Sequence, residues 1–298
     1  MIDFFTAYRP LFEFMILHAG YALSQYVVLR TGVFSVATAG FAAVGGYGAA
    51  ILTVTYRFPP LASILIALVA GCALGLLLAV PLARLRGVYQ AIATLAFVQV
   101  VLSLNFFLEG VTGGANGFNG IPKVVELHHL ALAFVAVGYV ILSWRSSRLG
   151  RSANVVRENE AVAASLGISA IRQQSIAFAL SGAIGALFGS LEAFHGYALD
   201  PNQFGFHLVV AVLSYVVLGG RRSLWGPIAG AVILVSLPEI ARPLAEYRML
   251  IYGALLIVVI GYLPRGVVDS ALHYLHHRRV GRAAQASRVS PGTSEARP

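Results

Sequence analysis

Apolar stretches recur along almost the whole chain, at residues 10–29, 33–56, 61–82, 88–108, 127–144, 173–197, 207–220, 226–241 and 248–264. A helical crossing of a bilayer needs about 20 mostly apolar residues. Within the hydrocarbon, the backbone satisfies its own N–H and C=O groups only in a helix or a closed barrel. The pattern therefore predicts an all-α, polytopic integral membrane helical bundle of about 8–9 transmembrane helices. The 207–220 run is short and the 33–56 run is rich in glycine, so either can be re-entrant or broken. With 58% hydrophobic and only 11% charged residues, a chain of 298 residues falls outside the ordinary soluble class.

The formal net charge is +9. The basic residues are strung over the loops between apolar runs and over the tail, not gathered on one face as a nucleic-acid surface requires, so no nucleic-acid partner is expected. Positive charge collects in loops that stay on the cytoplasmic side. With nine spans, Arg30, Arg84, Arg86, Arg145, Arg148, Arg151, Arg157, Arg172, Arg221, Arg222 and the tail arginines share one side. Arg9, Arg57, Lys123, Arg242 and Arg248 fall on the other. This puts the N-terminus outside and the C-terminus in the cytoplasm. The first ten residues lack the basic start of a signal peptide, so the first run is expected to stay as a helix. Residues 1–268 are expected to form the transmembrane domain. Residues 269–298 form a basic cytoplasmic tail, expected to be disordered and near anionic membrane lipid.

The one long polar interruption, 145–172, lies on the basic side. Ser152 or Asn154 is placed to cap a helix from Val155 to Leu166, with Gly167 supplying the permissive stop and Ile168 beyond it. On that helix Val155, Val162 and Leu166 share a face. Arg157, Glu158 and Glu160 supply charge, while Ala161, Ala163, Ala164 and Ser165 keep the girth small enough for a partner's groove. Composition alone favours an amphipathic helix lying in the headgroup layer.

Polar and small residues mark the spans themselves. Gly32–Ala50 is built of Gly, Ala, Ser and Thr, which permit close helix crossing. Tyr89, Gln90, Thr94 and Gln99 interrupt the fourth run, where polar groups need partners or a wet cavity. Interhelical hydrogen bonding and a place along a translocation pathway account for Thr94 and Gln99 equally well. Ser181, Gly185 and Gly189 form a small-residue stripe. Thr112–Pro122 has the turn chemistry of a folded loop. Glu13, Glu192 and Glu239 are the carboxylates within the runs, and their positions toward the outer ends predict solvation by water or headgroups.

The sequence carries no pairing of nucleophile and base and no metal-ligand spacing, so neither a catalytic residue, a metal nor a cofactor is expected. Cys72 is the single cysteine, and the tail histidines His273, His276 and His277 have no carboxylate or thiolate cluster beside them. A phosphate-binding loop requires G-x-x-x-x-G-K-[ST]. The sole lysine, Lys123, lies between Pro122 and Val124, so nucleotide hydrolysis must belong to another chain.

Five motifs occur in order that resemble the branched-chain amino-acid ABC transporter permease family. The first is G-x-x-S-x-x-x-x-x-F-x-x-x-G-x-Y, at Gly32, Ser35, Phe41, Gly45 and Tyr47. It departs from many members at Val33, Ala37 and Thr38, where those carry Gln, Gly and His. The second is R-G-x-Y-x-A-I-x-T-L-A-F from Arg86, and the third T-G-G-x-N-G-x-x-G-I-P from Thr112. V-L-G-G-x-x-S-x-x-G-P at 217–227 and P-R-G at 264–266 complete the set. Arg157–Ile168 also resembles the family's cytoplasmic coupling segment, which docks on an ATPase.

The resemblance implies a permease domain at 1–268 in an inner or plasma membrane, importing Leu, Ile or Val at the expense of ATP. It implies as partners a second, non-identical permease subunit, two ATPase subunits and an extracytoplasmic binding protein. ATPase coupling would fall to Arg157, Glu158, Glu160, Ala161, Ala164, Ser165 and Gly167. Ser35, Gly45, Tyr47, Tyr89, Thr94 and Gln99 become candidates for the translocation pathway. Relatives moving urea, amides or aromatic acids define the alternative substrates. An ion-coupled secondary transporter, which would need midplane carboxylates, is the rival mechanism.

Overall fold

The computed structural model describes residues 2–221, 223–240 and 253. The expected span at 248–264 and the tail at 269–298 lie outside the described residues. In order, the helices are α1 (Ile2–Leu29), α2 (Thr38–Val54), α3 (Pro60–Leu82), α4 (Val88–Phe107), α5 (Glu109–Thr112) and α6 (Leu127–Ser146). They continue as α7 (Arg148–Glu158), α8 (Glu160–Ser165), α9 (Ala170–His195), α10 (Phe206–Gly219) and α11 (Trp225–Ile240). Five helical stretches among the described residues are long and apolar enough to cross a membrane: Pro60–Leu82, Val88–Phe107, Leu127–Ser146, Ala170–His195 and Pro201–Gly219. The protein is a multi-pass helical membrane bundle.

Helix α1 lies at its centre. Every residue from Leu17 to Thr31 is buried, including His18, Ser24, Gln25 and Arg30. A helix covered on all sides has no lipid-facing stripe to keep apolar, so α1 carries polar side chains that interior partners satisfy. By contrast α3, α4 and α6 leave Leu61, Val69, Leu77, Val100, Leu132 and Val135 exposed, the apolar outer wall a bilayer requires.

Helix α9 is wedged between α2 and α3 with almost no side chain in the seams. A methyl group added at Gly45 would meet the Ala186 backbone. One added at Gly71 or Gly75 would meet carbonyl oxygens of Gly182 or Phe178, and one at Gly189 that of Ala42. The expected stripe is used as anticipated for Gly185 and Gly189, which face α2, while Ser181 hydrogen-bonds Ser24 of α1 at 3.0 Å. Close backbone approach of this kind replaces hydrophobic driving force, which lipid does not supply between helices.

The glycine-rich second run is broken, as its composition allowed. Residues 33–37 are non-helical and α2 begins at Thr38, leaving 17 residues, which rise about 25 Å. The Thr112–Pro122 loop is folded: β1 (Phe118–Asn119) pairs antiparallel with β2 (Ala198–Leu199), just after α9. Gly117, at φ +71°, sits against Leu199 where no side chain would fit.

One expected element is different. The helix predicted from Val155 to Leu166 is two helices, α7 and α8, parted at Asn159. Neither Ser152 nor Asn154 caps either one. Ser147 accepts from Gly150 N–H at 3.3 Å to start α7, and the Asn159 side chain accepts from Ala161 and Val162 N–H at 3.0 and 3.2 Å to start α8. Asn offers the backbone a capping acceptor in mid-segment, and that local bond beats helix continuation. Val155 therefore belongs to α7 and does not share a helix face with Val162 and Leu166.

Candidate functional site

The six-residue helix α8 projects from the bundle. Glu160, Ala161, Val162, Ala164, Ser165, Leu166 and Gly167 are exposed, and Ala163 alone turns inward. Its stop is the expected one: Gly167 takes φ +74°, its N–H donates to Ala164 O at 3.0 Å, and Ile168 N–H donates to Ala163 O at 2.9 Å. That is the double hydrogen bond of a left-handed glycine stop. Val162, Leu166 and Ile171 are 49, 66 and 58% exposed, so a small apolar patch stands ringed by charge.

Two contacts join this projection to the bundle. Glu160 pairs with Arg86 at 3.2 Å, one residue before the Gly87 cap of α4. Arg157, at the end of α7, packs on the α1–α2 turn, where a methyl group on Gly32 would lie 3.2 Å from Arg157 Cα. Arg221 joins Arg157, Glu158 and Gly32 around a cavity of about 510 Å³. Arg86, Arg157 and Arg221, three of the arginines expected on one side, thus lie at one end of the bundle. Arg9, Glu13, Lys123, Glu126 and His195 meet at the other. There Arg9 bonds Glu13 at 2.9 Å and Glu126 at 3.1 Å. Those two hydrogen-bonded carboxylates push its guanidinium pKa above the ordinary value.

The pathway candidates divide into two groups. Ser35, Gly45, Tyr47 and Thr94 are buried within this chain. Thr94 accepts from Val36 N–H at 3.0 Å and donates to Gln90 O at 2.9 Å, so it holds the extended stretch before α2 against α4. The Ser35 carbonyl accepts from the Gln25 amide, whose oxygen accepts from Thr38 at 2.9 Å. Tyr47 donates to Leu199 O at 3.3 Å. Tyr89 and Gln99 instead face outward on α4, Tyr89 with 71% exposure. The structure does not bring the six residues together at one surface of this chain.

The carboxylates correct the sequence reading. Glu13 is buried instead of solvated, whereas Glu192 is partly exposed among helices. Glu13 is 6% exposed between Arg9 and His195, and Glu192 accepts a hydrogen bond from the Tyr21 hydroxyl inside the bundle. Ser24, Gln25, Thr38 and Ser181 form a buried polar network. Its signal is the adjacent Ser24–Gln25 pair in the middle of an apolar run, which demands interior partners.

The family profile described as "Branched-chain amino acid transport system / permease component" matches residues 11–260. The chain belongs to this permease family. Among its relatives are the high-affinity branched-chain amino acid transport system permease proteins LivM of Salmonella typhimurium and of Escherichia coli. Each is 32% identical over 276 residues, covering 81% of this chain and 65% of the relative. LivH of Escherichia coli is 27% identical over 199 residues, covering 62% of this chain and 64% of LivH. The chain thus spans less than two thirds of the length of the LivM relatives.

Proposed function

We propose that this permease-family chain is the membrane subunit of an ATP-driven importer of Leu, Ile or Val, oriented with its N-terminus outside and its C-terminus in the cytoplasm. It works with a second, non-identical permease subunit, two ATPase subunits and an extracytoplasmic binding protein. The observation that carries the reading is α8: a capped, exposed helix on the arginine-rich end, tied to α4 through Glu160–Arg86, while Arg157 of the preceding α7 packs on the α1–α2 turn. A shift of an ATPase bound there reaches the spans as a rigid-body displacement, with no titrating group in the path. The stronger likeness to LivM than to LivH supports one member of a non-identical pair. Urea, amides and aromatic acids are the alternative cargoes.

For the path itself, we assign the outward face of α4. Gln99 is exposed on a span and has no hydrogen-bond partner among the described residues. An uncompensated amide against lipid is costly, so this face meets the second subunit and the water between them, with Tyr89 at its cytoplasmic end. Ser35, Gly45, Tyr47 and Thr94 shape the wall behind it.

The test is reconstitution of both permease subunits with the ATPase and the binding protein in proteoliposomes. Leucine uptake should require ATP and all four components. A Ser165→Cys probe should crosslink to the ATPase cleft. Uptake driven by an imposed proton gradient without ATP, or labelling of that cysteine only from outside intact cells, would overturn the proposal.

A further inference from the structure

Helices α1, α7 and α10 all end at the cavity of about 510 Å³ beside the α1–α2 turn. Its lining is of two kinds. Arg157 and Arg221 supply two guanidinium groups, and Glu158 lies 3.4 Å from Arg157. Leu29, Val33 and Phe34 supply apolar surface, and Phe34 is 40% exposed. Next to Leu29 in the chain, the buried Arg30 donates to the Tyr26 hydroxyl at 2.9 Å and adds a third positive charge close to this lining.

A helix C-terminus carries roughly half a negative charge, which accounts for one arginine at each of the three ends. It does not account for the open volume between them or for an exposed phenylalanine on its wall. Guanidinium groups take phosphate oxygens in bidentate fashion, and the cytoplasmic leaflet of a membrane is anionic. Cationic and apolar lining in one cavity suits a ligand that joins a phosphate to a hydrocarbon body. We propose that this cavity is a binding site for an anionic phospholipid, its phosphodiester received by Arg157 and Arg221 and the start of its acyl chains by Phe34 and its apolar neighbours. Glu158, whose side chain is 75% exposed, opposes the anion only weakly because water and salt screen it. A lipid seated there ties the end of α7, and so the entry to α8, to the α1–α2 turn. The site goes beyond the transport reading, and only its assignment to the cytoplasmic leaflet rests on the orientation proposed above.

The test uses the assembled transporter in detergent micelles, titrated with dioleoyl phosphatidylglycerol and followed by native mass spectrometry. Dioleoyl phosphatidylcholine and inorganic phosphate form separate arms. Phosphatidylglycerol should give saturable adducts, and Arg221→Gln should weaken them roughly fivefold, the usual worth of one basic residue at an anionic lipid surface. Phe34→Ala should weaken them severalfold as well. Arg221 and Phe34 are both exposed, so neither variant is expected to disturb folding. Arg148→Gln, at an exposed arginine that is not among the described lining residues, should leave the adducts unchanged. Equal loss from Arg148→Gln and Arg221→Gln would reduce the effect to general surface charge and overturn the site. Equal binding of phosphatidylcholine would overturn it too, as would full displacement of the lipid by inorganic phosphate, which would mark a soluble anion as the ligand. Labelling of Ser165→Cys only from outside intact cells would overturn the leaflet assignment, a failure of the orientation distinct from any failure of binding.

Discussion

Gly45 and Gly48 lie one turn apart on α2 and make a matched pair for measuring how tightly α9 is seated. A methyl group at Gly45 would come within 2.6 Å of the Ala186 carbonyl carbon and closer still to its oxygen, whereas ordinary contact begins at 3.4 Å. The helices would have to part by about 1 Å. At Gly48 nothing lies within 4 Å. Replacing a mid-helix glycine with alanine gains roughly 0.5–1 kcal/mol through backbone entropy. Overpacking a closed contact costs about 1–3 kcal/mol. Gly48→Ala should therefore be neutral or slightly stabilising, and Gly45→Ala destabilising by about 1–2 kcal/mol after the entropic gain is subtracted. Reversible unfolding by SDS titration in mixed micelles, followed by circular dichroism, reads both variants on one scale. Equal shifts for the two, or stabilisation by Gly45→Ala, would refute backbone-close packing of α2 on α9.

Thr94→Val should cost about 1–3 kcal/mol, because it strands the buried Val36 N–H, and Thr94→Ser should recover most of that in the same titration. The exposed Arg86–Glu160 pair is worth at most about 1 kcal/mol to folding. Arg86→Glu should thus leave unfolding nearly unchanged while lowering ATP-driven uptake severalfold, and the swap Arg86→Glu with Glu160→Arg should restore uptake. Asn159→Ala removes the α8 cap at a cost of about 1 kcal/mol. It should raise amide hydrogen exchange across 160–165 with little change in the spans. Gln99→Leu should reduce uptake without lowering stability, and a large loss of stability instead would place that amide in an interior contact.

Span positions were legible because each is governed by local composition: the runs at 61–82 and 88–108 became Pro60–Leu82 and Val88–Phe107. The Gly167 stop was legible for the same reason. Asn159 was not, since the same residue serves as a solvated helix position or as a cap, and only the competition between those local bonds decides. The burial of Glu13 and the bond from Tyr21 to Glu192 were illegible because distance along a span does not say which neighbours surround a residue. That information lies in the pairing of α1 with α9, residues far apart in sequence. Tyr89, Thr94 and Gln99 share one span, yet Thr94 alone turns to the interior. Their types announced a need for partners but not which face would find them.

Contact through bare backbone leaves α2, α3 and α9 without compliance. No rotamer change cushions Gly45 against Ala186 or Gly71 against Gly182, so these three helices are expected to move together as one stiff block. Between α2 and α4 the seam is padded instead by Phe41 and Phe97, whose ring centroids are 5.5 Å apart. Aromatic rings can tilt and slide where carbonyl oxygens cannot. Under the proposed coupling, a displacement arriving through Arg86 would be taken up at this upholstered joint, with α4 the helix that swings.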